Sequence, residues 1–212
     1  MAAPNTSLAL AAMLLAYLLG SIPFGVILAT FLGGKDIRKS GSGNIGATNV
    51  ARVVGPLAGA LTLVFDIAKG AGAVLLAEKF SNGSARWMMI AGIAALVGHC
   101  FPVWLKGKGG KGVATAAGVF LVLSPPACLA AVVVFLLVVI FSRYVSLGSV
   151  SAAAAMPLLI YLLWAPRHAP LSVTAGALAA GLLILYQHRG NLQRLLAGAE
   201  PKFSLSKNKE KE

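Results

Sequence analysis

The chain has 212 residues, of which 58% are hydrophobic and 11% charged, and its formal net charge is +12. A soluble domain carries roughly 25% charged residues, so this composition excludes an ordinary soluble fold and indicates an integral membrane protein. The basic residues lie in short segments between apolar runs, which indicates membrane orientation and anionic ligands rather than nucleic acid.

Six long apolar runs follow one another, at residues 8–32, 53–77, 87–105, 112–141, 150–164 and 171–187. The first is longer than the ~7–15 apolar residues of a signal peptide, so we expect it to remain as a span. The fourth contains Ser124-Pro125-Pro126 near its middle. Proline breaks helices and disfavours helical geometry in the residue before it, so this run is either one kinked span or two short ones.

The basic residues favour two short spans. Fourteen of the 18 lie in four segments, at residues 35–52, 106–111, 143 and 189–211. Two crossings by the fourth run place all four segments on one side of the membrane, as the positive-inside rule prefers. We therefore expect an all-α bundle of seven transmembrane helices with the N-terminus outside and the C-terminus in the cytoplasm. Residues 1–198 would form one transmembrane domain and residues 199–212 a solvated basic tail.

The first basic segment contains a G-x-G-x-x-G pattern from Gly41 to Gly46, flanked by cations and rich in Ser, Thr and Asn. A dinucleotide fold would need a preceding strand and a βαβ unit, which the sequence lacks. Glycine lets the backbone approach a ligand closely, and consecutive N–H groups before a helix attract anions. The segment is therefore either an anion-binding loop or a solvated connection.

The second basic segment places three lysines and four glycines within residues 106–112. It is not a P-loop, because Gly112 follows Lys111 where that motif has Ser or Thr. The positive-inside rule explains the lysines but not the glycines, so we interpret this loop as a second anion-binding element.

Three further segments contain candidate functional residues. Asp66 and Lys69 lie three residues apart inside an apolar run, where they can neutralise each other in the bundle as a structural or site-supporting pair. Ser149 is either a helix N-cap or a ligand contact. His188 is either a cation at a helix end or, with Asn191 beside it, a candidate proton carrier.

These motifs together resemble the acyl-phosphate:glycerol-3-phosphate acyltransferase family. The resemblance covers residues 17–198 and is carried by Ser-Gly-Ser-Gly-Asn-Ile-Gly-Ala-Thr-Asn at 40–49, His-Cys-Phe-Pro-Val at 99–103, Lys-Gly-Gly-Lys-Gly-Val-Ala-Thr at 108–115 and His-Arg-Gly-Asn at 188–191. One departure is Gly107, where the family pattern leads us to expect an aromatic residue.

The resemblance implies a seven-helix enzyme of the bacterial inner membrane with its active site on the cytoplasmic side. It would transfer the acyl group of acyl phosphate to the 1-hydroxyl of glycerol 3-phosphate, giving lysophosphatidic acid and phosphate for phospholipid synthesis. Acyl phosphate is already activated, so no cofactor, metal or covalent nucleophile is needed. An upstream enzyme that makes acyl phosphate is a candidate partner.

The expected site follows from these motifs. The acyl-phosphate head would be held by Ser42, Gly43, Asn44, Thr48, Gly109, Gly110 and Gly112. Glycerol 3-phosphate would be held by Arg52, Lys111, Ser149, His188 and Asn191. Ser42, Lys111, His188 and Asn191 would take part in catalysis, and the general base would be His188 or a phosphate oxygen of the substrate.

Three alternatives belong to other classes. A phosphate or organophosphate transporter would also combine anion-binding loops with an intramembrane Asp–Lys pair. Such a transporter should show inverted repeats, and none is evident in this sequence. A transferase for nucleotide-activated alcohols would need clustered carboxylates for a metal, and the six acidic residues here are scattered. A purely structural membrane protein would leave the glycine-rich basic loops unexplained.

Overall fold

The structure, a computed structural model, describes residues 6–164 and 170–203, and these residues contain helices and no β-strands. The helices are α1 (Thr6–Ser21), α2 (Phe24–Gly33), α3 (Ala47–Val53), α4 (Pro56–Phe80), α5 (Ala85–Cys100), α6 (Val113–Leu123), α7 (Pro125–Ser142), α8 (Val145–Leu163), α9 (Leu171–Gln187) and α10 (Arg189–Leu196). Single 3₁₀ turns occupy Ile37–Lys39 and Val103–Leu105. Arg167 and residues 204–212, which contribute to the expected charge distribution, lie outside the described residues.

The membrane class is confirmed by the helices themselves. In the described part of the chain, five apolar segments are long enough to cross a bilayer: Leu10–Gly33, Pro56–Phe80, Ala85–Leu105, Pro125–Ser142 and Val145–Leu163. A sixth is formed if α9 and α10, which meet at 60°, are taken as one bent span. The expected count of seven therefore depends on α6, which is apolar but has only 11 residues.

The fourth apolar run is divided in two, as one of its two interpretations predicts. Helix α6 ends at Leu123 and α7 begins at Pro125, with Ser124 between them. Proline is tolerated in the first helical turn because the N–H it lacks would have no partner there. The two prolines therefore start α7 rather than kink a continuous helix.

The first apolar run is also divided, which the sequence did not lead us to expect. Helix α1 ends at Ser21 and α2 begins at Phe24, because Pro23 cannot continue the backbone hydrogen bonding. The carbonyl oxygen of Ile22, freed by this break, accepts a hydrogen bond of 3.0 Å from Lys69 Nζ. A buried cation on α4 thus satisfies a backbone group that lipid could not.

Three other boundaries differ from expectation. The second span starts at Pro56, after a turn at Gly55 with φ +140°. Helix α5 ends at Cys100 because Pro102 follows, although the apolar segment that contains it continues to Leu105 as expected. Helix α8 starts at Val145 and has 19 residues, so the expectation of a short helix from residue 150 is wrong.

Close helix contacts at small residues hold the bundle together. Helix α1 packs against α4 and α5, α4 against α6, α7 against α8, and α9 against α5 and α8. At the α4–α6 contact, a Cβ on Gly70 would collide with the Thr115 carbonyl oxygen, and one on Gly118 with that of Ile67. Glycine at both positions therefore lets the two backbones approach closely, as small residues do in membrane bundles.

Candidate active site

One cavity of about 620 Å³ lies among α3, α4, α6, α7, α8, α9 and α10. Its polar wall is formed by Ser42, Asn44, Thr48, Arg52, Lys111, Ser146, Ser149, His188, Asn191, Arg194 and Glu200. Its apolar wall includes Ile67, Phe120, Val132, Phe135, Met156 and Ile184. The cavity thus brings together eight of the residues that the sequence predicted to contact substrate, and Gly112 as a ninth.

The first loop, residues 40–46 before α3, is held in shape by Asn49, which is 2% exposed. Its Oδ1 accepts the Ser42 N–H at 2.9 Å, and its Nδ2 donates to the carbonyl oxygens of Ser40 at 3.0 Å and Asn44 at 2.9 Å. Asparagine suits this role because its side chain mimics a peptide group. The sequence motif at 40–49 includes Asn49, but the sequence analysis assigned it no function. The feature that could have identified it is a side-chain amide just inside a helix start, next to a glycine-rich loop.

The glycines of the first loop shape it rather than all contacting the cavity. Gly43 has φ +70°, which favours glycine, and its N–H donates to the Ser40 carbonyl oxygen at 3.0 Å. Gly43 does not line the cavity, whereas its neighbours Ser42 and Asn44 do. Gly43 therefore bends the loop so that the adjacent residues Ser42 and Asn44 reach the cavity.

In the second loop, residues 106–112, Gly109 and Gly110 also do not line the cavity. Their N–H groups donate to the carbonyl oxygens of Cys100 and His99, both at 3.1 Å. A Cβ on Gly110 would collide with the His99 ring. These N–H groups are therefore used in anchoring the second loop to α5, and the loop presents Lys111 and Gly112 to the cavity instead.

Lys111 and Asn191 meet across the cavity. The ammonium of Lys111 donates to Asn191 Oδ1, which joins the second loop to α10. Burial lowers the pKa of Lys111 to about 8, and the nearby Glu200 carboxylate offsets part of that effect. Lys111 is therefore still a cation at neutral pH and is placed to bind an anion.

His188 is neutral rather than a cation that caps α9. It is 3% exposed, and burial lowers its pKa to about 4, against a smaller opposing effect of the Ile184 carbonyl oxygen. That oxygen lies 2.8 Å from His188 Nδ1 and can only accept a hydrogen bond. The proton is thus assigned to Nδ1, which leaves Nε2 with a lone pair able to accept a proton.

Ser149 is not the N-cap of α8, since Tyr144 precedes that helix. Its hydroxyl lies within the first turns and donates to the Val145 carbonyl oxygen at 2.9 Å. Such a bond leaves the oxygen lone pairs free. Ser149 and Ser146 are both buried and both line the cavity. Ser149 therefore stays a candidate ligand contact, and Ser146, which the sequence analysis did not assign, becomes another.

Asp66 and Lys69 form the expected interior pair. Lys69 Nζ lies 2.8 Å from Asp66 Oδ1, and both side chains are at most 3% exposed. His99 Nδ1 lies 3.5 Å from the same oxygen, so the cluster connects α4 to the helix that anchors the second loop. Asp66 and His99 line the cavity but Lys69 does not, which makes Lys69 a supporting residue.

The charges of the polar wall are unevenly paired. Arg194 Nε lies 2.8 Å from Glu200 Oε2, and Asp66 pairs with Lys69. Arg52 and Lys111 form no ion pair with any residue that the structure describes. Two cations without carboxylate partners therefore face one cavity. No group of three His, Cys, Asp or Glu within residues 6–164 and 170–203 could hold a metal ion.

Within the segment expected to be a solvated tail, the Glu200 side chain is buried, whereas Ala199, Pro201, Lys202 and Phe203 are exposed. Glu200, Pro201 and Phe203 line the cavity, and the Glu200 side chain is 7% exposed. The Phe203 N–H donates to the Arg143 carbonyl oxygen at 2.7 Å, which ties the segment to the turn between α7 and α8. Sequence reasoning missed Glu200 and Arg194 because a basic terminal segment carries no periodicity that would indicate burial.

The chain is similar to known proteins over nearly its whole length. Residues 10–198 match the family model described as glycerol-3-phosphate acyltransferase. The glycerol-3-phosphate acyltransferase of Syntrophotalea carbinolica is 52% identical over 192 residues, which is 90% of this chain and 95% of that protein. That of Trichlorobacter lovleyi is 52% identical over 188 residues, covering 89% and 94%.

Two crystal structures of PlsY (YgiH), an integral membrane glycerol 3-phosphate acyltransferase, have the same fold. The glycerol 3-phosphate form superposes with a TM-score of 0.86 at 40% identity, covering 92% of this chain and 96% of that one. The lysophosphatidic acid form gives a TM-score of 0.84 at 39% identity, covering 92% and 95%.

Proposed function

The chain belongs to the glycerol-3-phosphate acyltransferase family and is an acyltransferase, and from this premise we propose that its acyl donor is acyl phosphate. The reaction would transfer the acyl group to the 1-hydroxyl of sn-glycerol 3-phosphate and release lysophosphatidic acid and inorganic phosphate. Because the chain belongs to a family of acyltransferases, it is an enzyme, and the transporter alternative no longer applies.

One observation carries this proposal: a single cavity joins two cations without carboxylate partners to a long apolar wall. Two phosphate groups, one on each substrate, would match Arg52 and Lys111. The acyl chain would lie along the apolar wall, beside side chains such as Phe120 and Met156. A single site would then hold both substrates with their reacting atoms adjacent, which is a large part of catalysis in a reaction of an activated donor.

The polar wall divides between the two substrates. We place the acyl-phosphate head at Ser42, Asn44 and Thr48, in the cavity that is also lined by Gly112 at the start of α6, where a helix N-terminus favours anions. Glycerol 3-phosphate would then be held by Arg52, Lys111, Ser149, His188 and Asn191. Gly43, Gly109 and Gly110 contribute by shaping the two loops.

The chemistry needs few groups. The glycerol 1-hydroxyl oxygen forms a bond to the acyl carbonyl carbon, and the bond from that carbon to the phosphate oxygen breaks. Phosphate leaves with the bonding electrons, and the hydroxyl proton passes to a base. The base is either Nε2 of neutral His188 or a phosphate oxygen of the substrate. Positive charge near the carbonyl stabilises the oxyanion of the transition state.

The proposed topology has seven crossings, with α6 as the shortest. The N-terminus would lie outside, and the cavity's polar wall and the C-terminus in the cytoplasm of a bacterial inner membrane. An 11-residue helix reaches only about 17 Å, so α6 would end within the protein or meet a thinned bilayer. An upstream enzyme that makes acyl phosphate would deliver its product at this membrane face.

The proposal is tested by mixing the detergent-purified protein with a synthetic acyl phosphate or acyl-CoA, with and without glycerol 3-phosphate. We expect phosphate release and lysophosphatidic acid only with acyl phosphate and glycerol 3-phosphate together. Product from acyl-CoA alone among the donors would contradict the assignment. In the same assay, His188→Gln should lower kcat about 10²–10⁴-fold if the histidine is the base, whereas an unchanged kcat would assign that role to the substrate phosphate.

A further inference from the structure

Residues 199–203 connect α10 to the turn between α7 and α8 across the polar wall. The Ala199 N–H donates to the Arg194 carbonyl oxygen at 2.8 Å, and the Phe203 N–H to that of Arg143 at 2.7 Å. Between these anchors, the Glu200 side chain points into the cluster of polar side chains rather than toward solvent, since it is 7% exposed. The segment is therefore a built part of the site.

The Glu200 carboxylate accepts three hydrogen bonds from side chains of the polar wall. Its Oε1 accepts from Ser146 Oγ and from Asn191 Nδ2, both at 2.6 Å. Its Oε2 accepts from Arg194 Nε at 2.8 Å. Burial alone would raise the pKa of Glu200, but these three hydrogen bonds hold it below its ordinary value, so the group is an anion at neutral pH.

These contacts determine which way the Asn191 amide faces. A carboxylate can only accept and an ammonium can only donate. Glu200 therefore takes the Nδ2 end of the amide, and Lys111 takes the Oδ1 end. A flipped amide would place oxygen against oxygen and nitrogen against nitrogen at both contacts. Without Glu200, one of these two constraints is lost.

We propose that Glu200 is a positioning residue of this acyltransferase, whose carboxylate holds the Asn191 amide in the orientation that binds glycerol 3-phosphate. The inference rests on the proposed assignment of that substrate to Lys111 and Asn191. Arg194 neutralises the carboxylate, so Glu200 does not act by its net charge. A role through net charge and a role through positioning predict opposite results when the carboxylate is removed. An unneutralised anion would repel the substrate phosphate, so its removal would tighten binding, whereas the loss of a positioning contact would weaken binding.

The test is the dissociation constant of glycerol 3-phosphate, measured by titration calorimetry on the purified full-length protein. We expect Glu200→Ala to weaken binding about tenfold or more. Glu200→Gln keeps an oxygen where Oε1 lies, and the 46% exposed Arg194 can turn away from the new amide, so its affinity should stay within about threefold of wild type. Glu78→Gln, at an exposed site near the far end of α4, is the matched control and should change nothing.

Three results would overturn the proposal: unchanged binding in Glu200→Ala, tighter binding in Glu200→Ala, or equal losses in the Ala and Gln variants. If wild type itself fails to bind glycerol 3-phosphate, the proposed substrate assignment fails instead, so the two failures are distinguishable. Thermal unfolding of each variant shows whether a loss follows from a loss of folding.

A double-mutant cycle separates positioning from a general structural effect. If Glu200 acts through Asn191, Glu200→Ala should have little further effect on binding in an Asn191→Ala background, which gives a coupling of about tenfold. Additive losses would mean that Glu200 acts elsewhere and would overturn the proposed route. Because the readout is binding, the cycle works even where the double variant has no activity.

Discussion

Single side chains of the polar wall acquire their properties from burial. Lys111 and His188 are ordinary residue types, and neither sequence position distinguishes a solvated group from a desolvated one. In the folded chain, burial lowers the pKa of Lys111 to about 8 and that of His188 to about 4. The lysine is thus a cation that titrates just above neutrality, and the histidine is a neutral acceptor.

The pKa of Lys111 predicts a pH dependence of substrate capture. In the proposed site, the Lys111 ammonium is charged below pH 8 and would attract the phosphate. Above pH 8 the charge is lost, so kcat/KM for glycerol 3-phosphate should fall by up to about tenfold per pH unit. The substrate phosphate does not change over this range, because its second pKa is about 6.

Lys111→Arg is the control, since an arginine stays charged throughout this range. Its kcat/KM for glycerol 3-phosphate should be lower than that of wild type but flat between pH 7 and pH 9.5. A profile in the variant that falls like that of wild type would show that another group titrates. Rate measurements at saturating acyl phosphate across this range provide the comparison.

At the scale of elements, the contact between α4 and α6 places the second loop. Helix α6 begins directly after Lys111 and Gly112, and its approach to α4 is as close as the glycines at 70 and 118 allow. A shift of α6 would therefore displace the Lys111 cation from the cavity. The site depends on this helix contact although neither glycine lines the cavity.

Gly70→Ala should destabilise the protein by about 1–3 kcal/mol, because its Cβ would meet the Thr115 carbonyl oxygen and push α6 away. Gly72→Ala, on the same helix, has no atom nearer than 3.5 Å to the new Cβ and should be neutral or slightly stabilising. Thermal unfolding in detergent compares the two. Equal unfolding midpoints in both variants would contradict the close-contact role of Gly70.

At the scale of the whole molecule, the position of the break at Ser124 relative to the bilayer decides the number of spans. Helices α6 and α7 are consecutive, so a seven-span protein would expose the Ser124–Pro126 break on the side opposite to the second loop. A re-entrant α6 would instead leave that break inside the protein on the same side.

Single cysteines introduced after replacing Cys100 and Cys128 test this topology. Asn82, Lys108 and Pro126 are exposed in the structure; the first two lie in the connections before and after α5, and Pro126 lies in the first turn of α7. In intact cells, a membrane-impermeant maleimide should label Asn82→Cys and Pro126→Cys, whereas Lys108→Cys should react only after the membrane is opened. Labelling of Pro126→Cys only in opened membranes would contradict seven crossings.

The membrane class, the division of the fourth apolar run and the polar segments that meet in one cavity could all be predicted from the amino-acid sequence. These features are local, because apolar length indicates a span, proline breaks a helix, and basic, glycine-rich segments separate the spans. The expected topology placed the loops of Ser42, Arg52, Lys111, His188 and Asn191 on one side of the membrane and so predicted these residues as neighbours, and all five line one cavity.

The contacts that hold those residues in place could not be predicted from the sequence and depend on the folded chain. Asn49 was unassigned because its partners are backbone groups of a loop whose path the sequence does not specify. Gly109 and Gly110 were assigned to substrate, whereas their N–H groups bind the end of α5. Glu200 was placed in a solvated tail, yet it bonds to residues 54 and 9 positions away. Hydrogen bonds between distant segments depend on chain packing, which local composition and periodicity do not encode.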